Sequence, residues 1–470
     1  MNSSGSNNGG GSGNGGGSGG RGSFKTERKT SKDDQQLFSR SQIVPKDKVA
    51  SAKKETALEI SDIIDDDDLE DESSHYSSKS IRSSVSSTLS SQKLLSTTSK
   101  PIDMDTAKKL KTLLIGDASK AIGPEWCLQY FDFETRVPDL WYGLVQHQGG
   151  PCGLMATVQG YLCAEFFHLN NENLAEKESD LDAYRYACLA RAIANLLWQI
   201  GGHKQKVIVA FESNRVFPSR MELSEAVGFA PDGITEHIRI SVELSSLAEV
   251  TQFLSELFSH DRHCLGAISL AFSSILTRGV NQIQQDYDSG SIETLLTPER
   301  LLCTQELVNL TLIGRAVSNV FDRNFAISSE MILQGINRQS LIGFLTIHEH
   351  EGAFKVGNCY KNSKLPIYLV LNEYHFTLLF SKQKFGEDDL NSDALKSNKT
   401  SETNKFDLFY YDGLLGQDHE IRLTIDANPK DDSAVSVLSE TNEVICPIEC
   451  IIRTKWPAAT VDWNGSSKIF

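Results

Sequence analysis

The clearest hydrophobic pattern in the chain follows a glycine-rich turn close to residue 150. Apolar residues recur every four positions from Leu154 to Phe166, which is the spacing of one face of an α-helix. The preceding turn, Gly149-Gly150-Pro151, consists of residue types that form tight turns and leave backbone groups accessible. The pattern therefore predicts a buried helix that begins at or next to Cys152.

Further helices and strands are predicted from the same kind of pattern. Helical spacing of apolar residues is found in 106–114, 181–200, 248–258 and 264–276, and Asp105 is the predicted N-cap of the first of these helices. Clusters of β-branched, aromatic and aliphatic residues between turn residues predict strands. The predicted strands are 207–211, 237–242, 365–371, 372–380 and 406–414, with a last strand and a packed tryptophan turn near 450–465.

The first 103 residues lack such patterns. They open with Gly/Ser/Asn repeats and continue through an acidic run, Asp65–Glu72, into Ser/Thr-rich sequence. Sequence of this kind buries too little apolar surface to offset the entropy lost on ordering. We therefore predict a disordered low-complexity region over 1–103 and one folded domain over 104–470, with a polar, flexible insertion at 381–405.

Charge and composition narrow the class of protein. The net charge of −16 argues against nucleic acid as the main partner. The sequence contains no run of eighteen apolar residues and no apolar N-terminal segment, so we expect neither a membrane span nor secretion. Nine cysteines without CxxC pairs argue against a disulfide framework and a zinc site. A reducing cytoplasmic or nuclear setting is expected, with no metal or other cofactor.

The predicted position of Cys152 at a helix start suggests a reactive thiol. Unpaired backbone N–H groups and the positive end of the helix dipole favour a thiolate there. Gln146, six residues upstream, carries an amide that is able to donate to a developing oxyanion. A small cysteine buried in a glycine-rich turn produces the same pattern, so this stretch alone does not separate a catalytic from a structural role.

His375 and Asp412 are candidates for the remaining catalytic groups. His375 lies in an apolar predicted strand, a setting that suits a packed core histidine and a catalytic imidazole equally. If the strand 406–414 pairs beside it, Asp412 or Asp407 is able to orient the imidazole. Asp412 followed by glycine is also an ordinary turn signal. His348 and His350 are alternative bases, but they border a charged turn, which favours surface or structural roles.

Several motifs together resemble the MINDY deubiquitinases, in particular the branch that carries GGPCG at the nucleophile. They occur in the expected order over residues 104–470 and are more specific together than GGPCG alone. The motifs are Gly149-Gly150-Pro151-Cys152-Gly153 with Ala156-Thr157-Val158-Gln159-Gly160, Gly314-Arg315-Ala316-Val317-Ser318-Asn319-Val320-Phe321, His375-Phe376-Thr377-Leu378-Leu379-Phe380, Tyr410-Tyr411-Asp412-Gly413-Leu414, and Thr454-Lys455-Trp456-Pro457 with Val461-Asp462-Trp463-Asn464.

The resemblance implies an α+β, papain-like cysteine protease fold, in which a helical part carries the nucleophile and packs on an antiparallel sheet that carries the histidine. It implies a thiol isopeptidase that hydrolyses polyubiquitin chains, preferring the lysine linkage that sends proteins to the proteasome. Ubiquitin chains and ubiquitinated proteins are the implied partners. Helices that bind ubiquitin after the catalytic domain in some relatives have no counterpart before Phe470, so the resemblance implies the chemistry but not the affinity for long chains.

Matched position by position, the resemblance assigns roles to individual residues. Cys152 matches the nucleophile, His375 the general base, and Gln146 the oxyanion-hole glutamine. Asp412 is a further candidate, for orienting the imidazole, which the resemblance itself does not assign.

The glycine-rich tail of ubiquitin needs a narrow channel, and Gly149, Gly150 and Trp141 are candidates to line it. Two alternatives to a deubiquitinase stay open. One is a catalytically silent ubiquitin-binding module that kept the fold, and the other is a papain-like thiol hydrolase with another substrate.

Overall fold

The computed structural model of the chain describes residues 98–169, 180–202, 206–212, 228–288, 294–328, 331–385, 405–427 and 446–469. The predicted low-complexity region lies outside the described residues up to residue 97. Most of the predicted insertion, from 386 to 404, also lies outside them. Within the described residues the chain is a mixture of helices and sheets, as an α+β protein is.

Eleven strands are found in the described residues. They are β1 (Ser99–Pro101), β2 (Ala210–Glu212), β3 (Ile238–Ser241), β4 (Phe325–Ala326), β5 (Ile332–Leu333), β6 (Gly343–Thr346), β7 (Ile367–Asn372), β8 (His375–Phe380), β9 (Lys405–Tyr411), β10 (Ile421–Asp426) and β11 (Thr460–Asp462).

The helices of the described residues range from one turn to 21 residues in length. They are α1 (Met104–Ile115), α2 (Pro124–Cys127), α3 (Cys152–Ala164), α4 (Leu181–Gly201), α5 (Leu247–His260), α6 (Ala267–Arg278), α7 (Val280–Asp286), α8 (Gln305–Ile313), α9 (Ile347–His350), α10 (Asn358–Lys361) and α11 (Pro447–Lys455). In the part of the chain that the structure describes, none of them is both long and apolar enough to cross a membrane.

The largest sheet has the strand order β11-β10-β9-β8-β7-β6. Its neighbours pair antiparallel, apart from β6 and β7, which are parallel. The predicted sheet around the histidine is therefore mixed rather than wholly antiparallel. A parallel pair needs a crossover connection, and the segment between β6 and β7, which contains α9 and α10, supplies it.

The largest sheet has a hydrophobic layer on each face. Side chains alternate between the two faces of a strand, so Leu378 and Phe380 of β8 pack in the same cluster as the residues of α3. Leu379 points to the other face and packs in a second cluster with Leu408 and with Ile451 of α11. The helix α3 is buried along its whole length. Apolar residues therefore occur on every side of this helix and not on one face alone.

Two boundaries and one strand differ from the predictions. The N-cap of α1 is Asp103, whose carboxylate accepts a hydrogen bond from the Thr106 backbone N–H at 2.8 Å, and Asp105 lies inside the first turn. The strand β1 pairs with β3, so regular structure begins before the predicted domain start at residue 104. The short apolar run near residue 451 is helical, because Pro447 begins the helix α11. The strand predicted there is wrong, and β11 follows the helix instead.

Candidate active site

Cys152 is the first residue of α3, as the hydrophobic pattern predicts. Pro151 occupies the N-cap position and no side chain caps the helix. The first backbone N–H groups of a helix have no partner within it, and the helix dipole places partial positive charge at this end. The sulfur of Cys152, in a residue that is 3% exposed, therefore lies where negative charge is favoured.

His375 is the first residue of β8, directly after the two-residue turn that joins it to β7. The turn residue Glu373 has a positive φ of 52°, a conformation that tight hairpin turns require. The imidazole Nε2 lies 2.9 Å from Oδ2 of Asp412. The backbone carbonyl of Tyr374, in the same turn, accepts a hydrogen bond from the Cys152 thiol at 3.8 Å. The hairpin therefore brings the histidine strand against the start of α3.

Asp412 makes the contacts of both interpretations that the sequence left open. Its Oδ2 atom contacts His375, while its Oδ1 atom accepts hydrogen bonds from the backbone N–H groups of Leu414 at 2.9 Å and Leu415 at 3.3 Å. Asp412 is thus a turn residue whose buried carboxylate also contacts the imidazole. The alternative, Asp407, accepts a hydrogen bond from the hydroxyl of Thr424 instead.

The electrostatic environment of His375 favours the imidazolium form. Burial lowers the pKa of His375, but the hydrogen bonds and charges of Asp412 and Cys152 outweigh it and raise the pKa to about 10. Because Nε2 is directed at Asp412, the other ring nitrogen is left for the sulfur. A protonated imidazole beside a sulfur at a helix start stabilises a thiolate.

Gln146 lies in the same narrow cleft as Cys152, together with Met155, Phe376 and Gly413. Its backbone N–H donates to the carbonyl of Gly413 at 2.9 Å. Its side-chain amide donates to the carbonyl of Gln148 at 2.6 Å. The structure therefore places Gln146 in the cleft that Cys152 lines, with its amide group engaged by the turn that precedes the cysteine.

The three predicted channel residues occupy different environments. Gly149 is exposed and has open space where a Cβ would be. Gly150 is buried with a positive φ of 127°, and a Cβ there would lie 3.2 Å from Nε1 of Trp126. Trp141 packs on Phe166, with 4.8 Å between the ring centroids. Phe166 follows the C-terminal end of α3, so the structure does not bring Trp141 to the sulfur.

The two alternative bases lie in other environments. His348 contacts Glu351 through Nδ1 at 3.1 Å and the carbonyl of Glu373 through Nε2 at 3.2 Å. His350 is exposed. Among the described residues no three His, Cys, Asp or Glu side chains are arranged to hold a metal ion. His375 is the histidine whose ring lies against Cys152.

Sequence reasoning did not find the groups that hold this site together. Gln159 of α3 accepts a hydrogen bond from the Leu144 backbone N–H at 2.7 Å and donates to the carbonyl of Tyr142 at 2.9 Å. The hydroxyl of Tyr411 donates to the carbonyl of Leu144 at 3.0 Å. These contacts attach the segment before Gln146 to the helix and to β9. A buried glutamine inside an apolar helix was the available signal.

Cys303 lies beneath the turn that precedes Cys152. Its thiol donates to the carbonyl of Gly150 at 3.7 Å. Burial, and then the charge of Cys152, raise the pKa of Cys303 well above its usual range. The Cys303 thiol therefore stays neutral, so that it does not place a second negative charge beside Cys152.

Gly413 is the point at which the turn that follows β9 touches the segment that precedes Cys152, and its replacement by alanine is expected to separate them. A Cβ at Gly413 would lie 2.5 Å from the carbonyl oxygen of Leu144, so backbone must move. We expect Gly413→Ala to lower the free energy of unfolding by about 1–3 kcal/mol, measured by denaturant unfolding. The control for stability is Gly149→Ala, which has open space. Equal stability of the two variants would contradict the close approach.

A comparison with known protein families identifies the family to which this chain belongs. The family model described as "Deubiquitinating enzyme MINDY-3/4, conserved domain" matches residues 111–465. The match covers most of the chain, so the chain belongs to the MINDY-3/4 family of deubiquitinating enzymes. The predicted membership of the MINDY family is confirmed.

Individual relatives agree with this assignment. The chain is 38% identical over 383 residues to the mouse protein named probable ubiquitin carboxyl-terminal hydrolase MINDY-4, which covers 80% of this chain and 48% of the relative. The human MINDY-4 is 37% identical, covering 80% of this chain and 47% of that protein. The ubiquitin carboxyl-terminal hydrolase MINDY-3 of Xenopus tropicalis is 29% identical, over 54% of this chain and 59% of that protein.

The chain thus spans about half the length of the curated MINDY-4 relatives that it matches. No solved structure matches the chain.

Proposed function

We propose that this chain is a cysteine-dependent deubiquitinase that hydrolyses isopeptide bonds in polyubiquitin chains, with Cys152 as nucleophile. The observation that carries the proposal is the arrangement at the start of α3. Cys152 lies against an imidazole whose other side is bound to the buried carboxylate of Asp412 at 2.9 Å. A nucleophile, a base and a group that orients the base are the parts that covalent acyl transfer requires. Family membership supports ubiquitin as the acyl group.

In the first half of the reaction, the Cys152 thiolate attacks the carbonyl carbon of the C-terminal glycine of ubiquitin. A C–S bond forms and the carbonyl oxygen becomes an oxyanion. The imidazolium of His375 donates its proton to the lysine amine as the C–N bond breaks. The raised pKa of His375, about 10, keeps this proton available at neutral pH. Its contact with Asp412 holds the ring in place throughout.

The oxyanion is stabilised by hydrogen-bond donors at the helix start. The backbone N–H of Cys152 is one such donor, because the N-terminal amides of α3 have no partner inside the helix. The amide of Gln146 is the other. Since that amide donates to the carbonyl of Gln148, it exchanges this partner for the oxyanion during the reaction. A donor that stabilises the transition state in this way contributes about 3–4 kcal/mol.

The second half of the reaction removes ubiquitin from the enzyme. His375, now neutral, takes a proton from water, which attacks the thioester carbonyl. The C–S bond breaks and the Cys152 thiolate is restored. We propose that the protein has a papain-like arrangement, with the nucleophile on a buried helix and the base on the facing sheet. We also propose that it prefers the linkage that sends proteins to the proteasome.

The proposal is tested by incubating the protein with long ubiquitin chains of a single linkage. Chains with the lysine linkage that sends proteins to the proteasome are called degradative-linkage chains. We expect these chains to be shortened, with release of smaller chains or ubiquitin, as seen on a denaturing gel. Chains of other linkages are expected to be cleaved more slowly. Chains that stay intact but bind the protein at equilibrium would support a silent binding module. Cleavage of short unconjugated peptides would support a thiol hydrolase with another substrate.

A further inference from the structure

The turn that follows β9 contacts two parts of the site at once. It runs from Asp412 to Gln417, and Gly416 within it has a positive φ of 65°. The carboxylate of Asp412 contacts His375, and the carbonyl of Gly413 accepts the backbone N–H of Gln146 at 2.9 Å. The position of this turn therefore determines where the imidazole of His375 lies relative to Gln146, the proposed donor to the oxyanion.

Gln417 closes this turn with its side chain. The Oε1 atom accepts a hydrogen bond from the backbone N–H of Asp412 at 2.7 Å. The Nε2 atom donates to the carbonyl of Tyr410, the residue before the last one of β9, at 3.3 Å. Gln417 is 7% exposed, so loss of these bonds would leave buried polar groups without partners. Its amide ties the turn to the end of a central strand.

The contacts form a continuous series from the sheet to the nucleophile. The side chain of Gln417 forms hydrogen bonds with the backbone of β9 and with the backbone of Asp412. The carboxylate of Asp412 in turn contacts the imidazole of His375. Two backbone N–H groups of the turn fix the other oxygen of that carboxylate. The carboxylate is thus rigid within the turn, while Gln417 fixes the turn against the sheet.

We propose that Gln417 is a positioning residue that sets the geometry of both His375 and Gln146 through the turn 412–417. The inference rests on the proposed function for its effect on turnover. Its effect on the thiol of Cys152 does not depend on any substrate. Gln417 touches neither group directly, so its removal alters geometry rather than the chemistry available.

The test replaces Gln417 with methionine, which has a similar volume and cannot make these two hydrogen bonds. We expect kcat on ubiquitin chains to fall about 10–100-fold, as a misplacement of about 1 Å costs, with a much smaller change in KM. Gln383→Met, at an exposed glutamine, is the matched control and is expected to behave as the wild type.

A second measurement uses no ubiquitin. The rate of alkylation of Cys152 by iodoacetamide is followed from pH 4 to 9 by peptide mass spectrometry. Weaker contact between Asp412 and His375 makes the ion pair with the thiolate less stable. We therefore expect the rise in alkylation to move to higher pH in Gln417→Met. A variant that is merely less stable would show the wild-type pH profile in its folded fraction, and this result would overturn the proposal.

The two measurements separate this inference from the proposed function. If the wild type cleaves no ubiquitin chain, the proposed function fails, and the alkylation profile still decides the role of Gln417. If the wild type cleaves chains and Gln417→Met cleaves them equally well with an unchanged alkylation profile, Gln417 does not position the site.

Discussion

Cys152→Ala is expected to abolish cleavage of ubiquitin chains while leaving the protein folded. The sulfur is the group that forms the covalent bond, and the nearby thiol of Cys303 does not replace it, since burial keeps that thiol neutral. Loss of a nucleophile costs at least about 10³-fold in kcat. The measurement is a gel time course with degradative-linkage chains, accompanied by a binding assay in which the variant still captures chains.

The matched control is Cys359→Ala, which removes a partly buried thiol on α10. This variant is expected to cleave chains at the wild-type rate. Cleavage of chains by Cys152→Ala would show that the reaction uses another residue, and the assignment of α3 as the nucleophile helix would be wrong.

His375→Ala is expected to lower kcat by about 10³-fold or more, because the nucleophile loses its base and the leaving amine loses its proton donor.

The wild type is expected to keep its activity as the pH rises from neutral and to lose it as the pH passes about 10, where His375 releases its proton. Asp412→Asn removes a charge that raises this pKa, so its alkaline limb is expected at lower pH. The measurement is kcat/KM for chain cleavage across this range.

The control for the histidine is His350→Ala, at an exposed residue, which is expected to be fully active. His348→Ala is the more informative comparison, since His348 contacts the hairpin next to His375. Loss of all activity in His348→Ala together with normal activity in His375→Ala would transfer the role of base to His348.

The sequence predicted the parts of the site that depend on local pattern. The helix that begins at Cys152, the hairpin before His375 and the strand that leads into the turn at Asp412 all follow from apolar periodicity and turn residues, and the structure contains each of them. The pairing of β8 with β9, which the triad required, is also present. What these segments share is a strong local signal that agrees with the tertiary fold.

The features that were missed depend on contacts between distant parts of the chain. The segment near Ile451 has the composition of a strand, yet it lies in the helix α11, which begins at Pro447 and packs on the far face of the largest sheet. Trp141 precedes the nucleophile turn in sequence, but its ring packs at the opposite end of α3. The side chain of Gln417 forms hydrogen bonds with backbone groups of Asp412 and Tyr410, and the types of these residues do not predict such contacts. The spacing of apolar residues along the chain predicts none of these three features.

The wide separation of Cys152 and Asp412 along the chain has a consequence for biosynthesis. The thiol enters the growing polypeptide long before His375 and Asp412 do, and a ribosome adding about 5–20 residues per second needs on the order of 10–50 s to reach them. During that interval neither partner of the sulfur exists. A nascent chain therefore carries an ordinary thiol without its catalytic partners, and the arrangement of Cys152, His375 and Asp412 forms only when β8 and the turn that follows β9 have been made and docked.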